Sequence, residues 1–166
     1  KKVVIESQKT AYFSEKFLEI TVPVTTKEQI KEIKKTVTHI AKKHDEEPYK
    51  ALATTQQAIF HQLEEQDEID ASAIFDKVFE EKPLAREAAQ LAITEERVPE
   101  KIAVTNVPKY ERKYSKQKFK LDNGIEITIP SEIYENKEMV EFINNPDGSV
   151  SVLIKNIESI LNKFNA

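Results

Sequence analysis

The chain has 166 residues, of which 39% are hydrophobic and 33% charged, an ordinary balance for a globular protein with a well-solvated surface. It contains no cysteine, which excludes disulfide bonds and thiolate metal sites and fits a reducing cytoplasm. No apolar run approaches the ~20 residues of a membrane-spanning helix, so we expect no membrane association. The formal net charge is −4, whereas proteins that neutralise DNA phosphates are normally basic. Any contact with nucleic acid therefore requires a local basic surface.

The charges are unevenly distributed along the chain. Between Asp45 and Glu81 there are eleven acidic residues against two lysines. Between Lys109 and Lys120 there are six basic residues against one glutamate. The chain has only three arginines. Because arginine is the usual reader of guanine edges, this composition disfavours sequence-specific DNA recognition.

The first twenty residues are rich in apolar side chains. Val3, Val4 and Ile5 predict a short strand, and Ala11–Ile20 predicts a short helix that presents Tyr12, Phe13, Phe17 and Leu18. Because exposed apolar groups of this kind promote association, we expect a homo-oligomer formed through residues 1–20.

Helices follow in succession. Thr25 with Glu28 predicts a capping box and a helix to about Lys43. Pro48 predicts the start of a second helix, to about Gln66. Asp70 is expected to cap a short third helix, and a fourth begins at Pro83. Three amphipathic helices with short connections after Pro48 predict a helical bundle, followed by a brief strand or an extended link over residues 102–107.

Two hairpins are expected in the last third of the chain, where its only glycines lie. Asn123-Gly124 stands between alternating apolar residues and predicts a two-residue type I′ turn. Pro146-Asp147-Gly148 predicts a longer turn. Residues 131–137 are expected to form one helical turn between the hairpins, and the apolar residues of 157–164 predict a C-terminal helix covering a four-stranded antiparallel sheet.

The fold class predicted from these patterns is α+β, a helical bundle followed by a small antiparallel sheet of two β-hairpins with a C-terminal helix. We place the boundary between a mainly helical part, residues 1–107, and a hairpin part, residues 108–166. The polar segment 108–117 would be the connection, and the two parts could also form one compact unit.

The hairpin region resembles the bacterial nucleoid-associated protein family of the NdpA/YejK type. The resemblance lies in LDNGIEITIP at Leu121–Pro130 and EFINNPDGSVSVLIKNI at Glu141–Ile157, with weaker likeness in YFSEKFL at Tyr12–Leu18 and in the helical stretch Tyr49–Arg97. It implies that the chain corresponds to the C-terminal half of a longer protein. It also implies association with bacterial chromosomal DNA, and it brings no catalytic residues.

The candidate DNA-binding site is a segment in which basic residues are interleaved with aromatic residues. Cationic side chains bind phosphates, and aromatic rings can stack on nucleobases. The opposing interpretation is a solvated edge strand whose lysines prevent edge-to-edge pairing. The candidate residues are Lys109, Tyr110, Arg112, Lys113, Tyr114, Lys116, Lys118 and Lys120.

Other candidates are weaker. The lysine face of the helix over residues 27–43 and the acidic segment 64–70 are better interpreted as solvated surfaces. His61 with Glu64 or Glu65 lacks a third metal ligand. No glycine-rich phosphate loop or nucleophile motif is present, so we expect no enzyme activity and no cofactor.

Two functions therefore remain. The first is a non-catalytic, nucleoid-associated protein of the cytoplasm that binds double-stranded DNA with little sequence specificity. The alternative is a protein–protein interaction module whose acidic helices dock a basic partner, with DNA contact made by an absent N-terminal half.

Overall fold

The computed structural model describes residues 25–164, and the predictions for the first twenty residues lie outside this part of the chain. The described residues form an α+β fold, as predicted. The elements in chain order are α1 (Thr26–Lys43), α2 (Pro48–Glu65), β1 (Glu68–Asp70), α3 (Ala71–Val78), α4 (Pro83–Thr94), β2 (Lys101–Ala103), α5 (Val107–Tyr114), β3 (Lys116–Lys120), β4 (Glu126–Pro130), α6 (Ser131–Tyr134), β5 (Val140–Asn144) and β6 (Val150–Ile154).

The helices begin where local signals place them. The Thr25 side chain accepts a hydrogen bond from the Glu28 backbone, and the Glu28 carboxylate accepts one from the Thr25 backbone, so the capping box is confirmed. Pro48 and Pro83 open α2 and α4, and the Asp70 carboxylate caps α3 by accepting from the Ala73 N–H. One apolar core joins these helices, with Ile33, Val37, Ile74 and Phe75 fully buried.

A short antiparallel strand pair closes the helical part. Strand β1 pairs antiparallel with β2, so that Ile69 lies opposite Ile102 and both side chains are buried. Of the brief strand or extended link predicted over residues 102–107, the strand is found at Lys101–Ala103, and α5 already begins at Val107. Its partner β1 lies in the acidic segment 64–70, which the charge pattern predicts to be a solvated surface, although Ile69 is buried. The pairing brings together the entry to α3 and the exit from α4.

Helix α5 occupies most of the segment predicted to be a polar connection. Tyr110, in the middle of α5, is buried in the same core as α1–α4, and α5 packs against α2. The connection is therefore a core element rather than an exposed linker. The division of the chain at residues 107 and 108 stays a prediction.

The two later hairpins use the same turn geometry. Strands β3 and β4 are closed by the Gly124 N–H donating to Leu121 O, and β5 and β6 by the Gly148 N–H donating to Asn145 O. Both glycines have positive φ, +95° and +91°. Asn123 does not, so the predicted type I′ turn, which needs positive φ at both central residues, is wrong. A four-residue turn ending in a left-handed glycine replaces it.

The hairpins do not join into one four-stranded sheet. Within residues 25–164 each pairing makes a separate two-stranded sheet. The hairpins meet through an aromatic cluster instead. The centroid of the Phe142 ring lies 5.1, 5.7 and 5.9 Å from the ring centroids of Phe119, Tyr49 and Tyr134. Helix α6 forms the predicted single turn between them.

The predicted C-terminal helix is absent. Residues 155–164 form neither helix nor strand, and their large apolar side chains are exposed. A helix of this length is not stable in water on its own and needs a packing surface. In this structure the apolar stripe of residues 157–164 packs against no described element, so nothing compensates the cost of helix formation.

Candidate nucleic-acid interface

Helix α5 separates its basic residues from its aromatic ones. Asn106 starts the helix by accepting a hydrogen bond from the Lys109 N–H at 3.3 Å. Lys109, Arg112 and Lys113 are spaced i, i+3 and i+4, which places them on one exposed face. Tyr110 and Tyr114 are spaced i, i+4 on the face that packs against the core.

Strand β3 continues the basic surface. Its residues alternate as the sequence predicts, with Lys116, Lys118 and Lys120 exposed and Gln117 and Phe119 turned inward. Lysines two residues apart on an antiparallel strand are separated by about 7 Å. The six bases of the two elements form what we call the α5–β3 surface: Lys109, Arg112, Lys113, Lys116, Lys118 and Lys120.

The α5–β3 surface forms no ion pairs within the described residues, although Glu126 lies opposite Lys120 in the register of β3 and β4. Seven ion pairs occur elsewhere in the described range. Lys109 and Lys113 instead lie over the rings of Tyr110 and Tyr114, with ammonium-to-centroid distances of 5.5 and 5.9 Å. All six basic residues are exposed.

The two tyrosines link α5 to the core. Tyr110 is buried, and burial raises the pKa of the Tyr114 hydroxyl to about 12. The stacking on nucleobases predicted for the two rings stays a prediction. The two tyrosines connect the basic helix to the core and support the lysine side chains. The phosphate-binding role predicted for the basic residues also stays a prediction.

Glutamine side chains hold the basic elements on α2. Gln117, 2% exposed, donates to Ala53 O and to the Gln57 Oε1, both at 2.9 Å. Gln56 donates to the backbone oxygens of Tyr114 at 3.3 Å and Lys116 at 2.8 Å. The strand bearing three lysines is thereby fixed to the helical core by hydrogen bonds from both sides of the α5–β3 junction.

A second group of polar contacts anchors α6 to the same place. Ser131, fully buried, donates through its hydroxyl to Tyr114 O at 2.7 Å. Gln57 donates to Ser131 O at 3.1 Å and to the Glu135 carboxylate. The sequence interpretation missed this network. Its one visible signal is Gln117, a polar residue at an inward position of an alternating strand.

His61 lies between two carboxylates at the edge of this network. Its Nε2 is 2.7 Å from Glu135 Oε2 and its Nδ1 is 3.3 Å from Glu64 Oε1. Partial burial lowers the pKa of His61, but the hydrogen bonds to Glu135 and Glu64 outweigh burial and leave the pKa raised above 6.5. No group of three His, Cys, Asp or Glu side chains suited to a metal ion is present in the described range.

The other charged segments have structural roles or lie in solvent. The α1 lysines are exposed, and Lys35 pairs with Glu32 at 3.4 Å. In the acidic segment, Glu68 and Asp70 both approach Lys101 of the paired strand, at 3.4 and 3.8 Å. Among the described helices, none has the length and apolar character to cross a membrane.

Comparison with known proteins places the chain in a family. A family model described as nucleoid-associated protein YejK matches residues 1–162, nearly the whole sequence. No curated protein and no solved structure matches the chain significantly. The match covers the helical part, the α5–β3 surface and both hairpins, and it agrees with the resemblance carried by the hairpin sequences. The chain therefore belongs to the nucleoid-associated protein YejK family.

Proposed function

We propose that the chain binds double-stranded DNA of the bacterial nucleoid through the α5–β3 surface, with little sequence preference and without catalysing a reaction. The description of its family names association with the nucleoid and no reaction. The observation that carries the proposal is the arrangement of six exposed bases on two consecutive elements, free of ion pairs within residues 25–164.

Geometry and composition support contacts with phosphates rather than recognition of nucleobases. Five of the six basic residues are lysines, which bind phosphates as point charges, and only Arg112 offers a guanidinium. The elements that bear them are fixed by Gln56 and Gln117, so little backbone ordering is needed when DNA binds. Such a surface follows the phosphate backbone and works in the cytoplasmic compartment where the nucleoid lies.

The net charge of −4 is compatible with this proposal because the acids lie elsewhere in sequence. Eleven of them fall between Asp45 and Glu81, against one between Lys109 and Lys120. With a Debye length of about 8 Å at physiological ionic strength, distant acids on the surface weaken a local phosphate contact only modestly.

Replacing four of the bases tests the assignment. In the variant Arg112→Ser/Lys113→Ser/Lys116→Ser/Lys118→Ser, we expect duplex binding, measured by fluorescence anisotropy, to be lost while the circular dichroism spectrum is unchanged. The matched control removes four exposed α1 lysines, Lys27, Lys31, Lys42 and Lys43, and has the same net charge. If the control loses affinity and the first variant keeps it, the binding surface is α1.

A further inference from the structure

Two apolar features of the chain have no partner in the described structure. The first is the segment after β6, residues 157–164, which we call the tail. Its four large apolar side chains are 54%, 83%, 80% and 83% exposed: Ile157, Ile160, Leu161 and Phe164. Their spacing of i, i+3, i+4 and i+7 would place all four on one side of an α-helix.

The second feature is a groove of about 990 Å³ between α2 and the hairpins β3–β4 and β5–β6. Its apolar surface comes from all three elements and includes Leu52, Phe119, Ile127, Phe142, Val150 and Val152. Lysines stand among its lining residues, Lys34 from α1 and Lys118 and Lys120 from β3, together with Glu47 and Asp122. An apolar trough with charged margins is the type of site that accepts an amphipathic helix.

The tail lies outside its own groove in this structure. Its attachment is fixed by the Lys155 N–H donating to Met139 O at 2.8 Å and by the Asn156 side chain donating to Glu138 O at 2.9 Å. These contacts lie at the end of the β5–β6 hairpin opposite its turn. None of the described residues from 155 to 164 is among those that line the groove.

We propose that the tail of a second copy of this chain docks in the groove as an amphipathic helix. The apolar stripe supplies the contact area, and docking provides the packing that a helix of this length needs. Glu158 and Lys163 flank the stripe on opposite sides of a helical wheel, and they can approach oppositely charged residues of the groove margin, Lys34 on one side and Glu47 or Asp122 on the other. Reciprocal exchange of two tails closes a two-fold dimer.

This interface goes beyond DNA binding and differs from association through residues 1–20. It makes the tail and the groove two halves of one contact, so that a single change in either half weakens it. Val150 is partly exposed on the groove wall, and Leu161 lies in a segment that packs on no described element. Leu84 on α4 is 71% exposed and does not line the groove, which makes it a matched control position.

Sedimentation velocity of the full chain over a concentration series tests the proposal. We expect the parent to shift from 19.1 kDa to twice that mass as concentration rises. Leu161→Glu and Val150→Glu are expected to remain monomeric, whereas Leu84→Glu dimerises like the parent. Mixing the first two variants should restore a dimer, because an intact tail then meets an intact groove. A synthetic peptide of residues 155–164 in excess should dissociate the parent dimer.

Three results would overturn the proposal. A parent that stays monomeric at all concentrations shows that no second copy occupies the groove. A dimer that survives Leu161→Glu does not use the tail, and this variant tests the idea even if Val150→Glu fails to fold. A dimer lost only when Tyr12 and Phe17 are replaced by Ser is formed through the first twenty residues instead.

Discussion

Replacing Gln117 with leucine removes the hydrogen bonds that fix the lysine-bearing strand to the core. The Gln117 amide donates to Ala53 O and to Gln57 Oε1, and its side chain is 2% exposed. Leucine has a similar volume but no donor. Two lost hydrogen bonds at about 1 kcal/mol each, with the Gln57 oxygen left buried and unpaired, give an expected loss of about 2–3 kcal/mol.

Urea and thermal unfolding measure this loss. For a protein of this size the expected decrease in Tm is roughly 4–12 °C. The matched control is Gln66→Leu, because the Gln66 side chain is exposed and donates only to Glu68 O. Its replacement should change the unfolding free energy by less than about 0.5 kcal/mol. If Gln117→Leu is as stable as that control, the glutamine network does not hold the strand in place.

A double-mutant cycle with Gln57→Leu separates the shared contact from other effects. Gln57 also donates to Ser131 O and the Glu135 carboxylate, so its replacement is costly by itself. Because both single changes remove the same contact between Gln57 and Gln117, the double variant should cost less than the sum of the two. A coupling of at least 0.5 kcal/mol is expected for residues in direct contact. Strict additivity would contradict the network.

Three further outcomes are expected. Gly124→Val should lower the unfolding free energy by at least about 1–2 kcal/mol in urea titrations, because Gly124 has φ +95°. An added Cβ meets no atom within 4 Å, so the loss comes from backbone strain alone. An unchanged midpoint would exclude the left-handed turn. His61 has a raised folded pKa, so its contribution to stability is complete below about pH 6.5 and is lost as pH rises through that folded pKa. The stability difference between the parent and His61→Gln should accordingly shrink from pH 5.5 to pH 9, and a difference independent of pH would exclude the contact with Glu135. Thr25→Ala should cost about 1 kcal/mol in thermal unfolding, since it removes the capping box of α1, and no change in Tm would show that the cap is not stabilising.

Helix boundaries could be predicted from the sequence because their signals are local. Thr25 with Glu28, Pro48, Asp70 and Pro83 each act within one turn of their own position, and each begins or caps a helix in the structure. The alternation of lysines in β3 is equally local, since neighbouring side chains of a strand point to opposite faces. The exposure of Lys116, Lys118 and Lys120 follows from this alternation.

Features that depend on distant partners were missed or mistaken. Strand β1 forms only because β2, separated from it by two helices, returns to pair with it. The apolar period of residues 157–164 identifies one face of a helix but cannot tell whether a partner surface is present. Asn123-Gly124 is compatible with two turn types, and the structure places positive φ at Gly124 alone. The burial of Tyr110 likewise depends on α5 packing against α2.

The salt dependence of DNA affinity tests the central claim most directly. If all six bases of the α5–β3 surface contact phosphates, a plot of log K against log salt concentration for duplex DNA should have a slope of about −5, the same for unrelated duplex sequences. Replacing Arg112, Lys113, Lys116 and Lys118 with Ser should make that slope shallower by about 4, close to 1 per base. A parent slope near zero, or a slope unchanged in the four-base variant, would contradict the assignment of the α5–β3 surface to DNA.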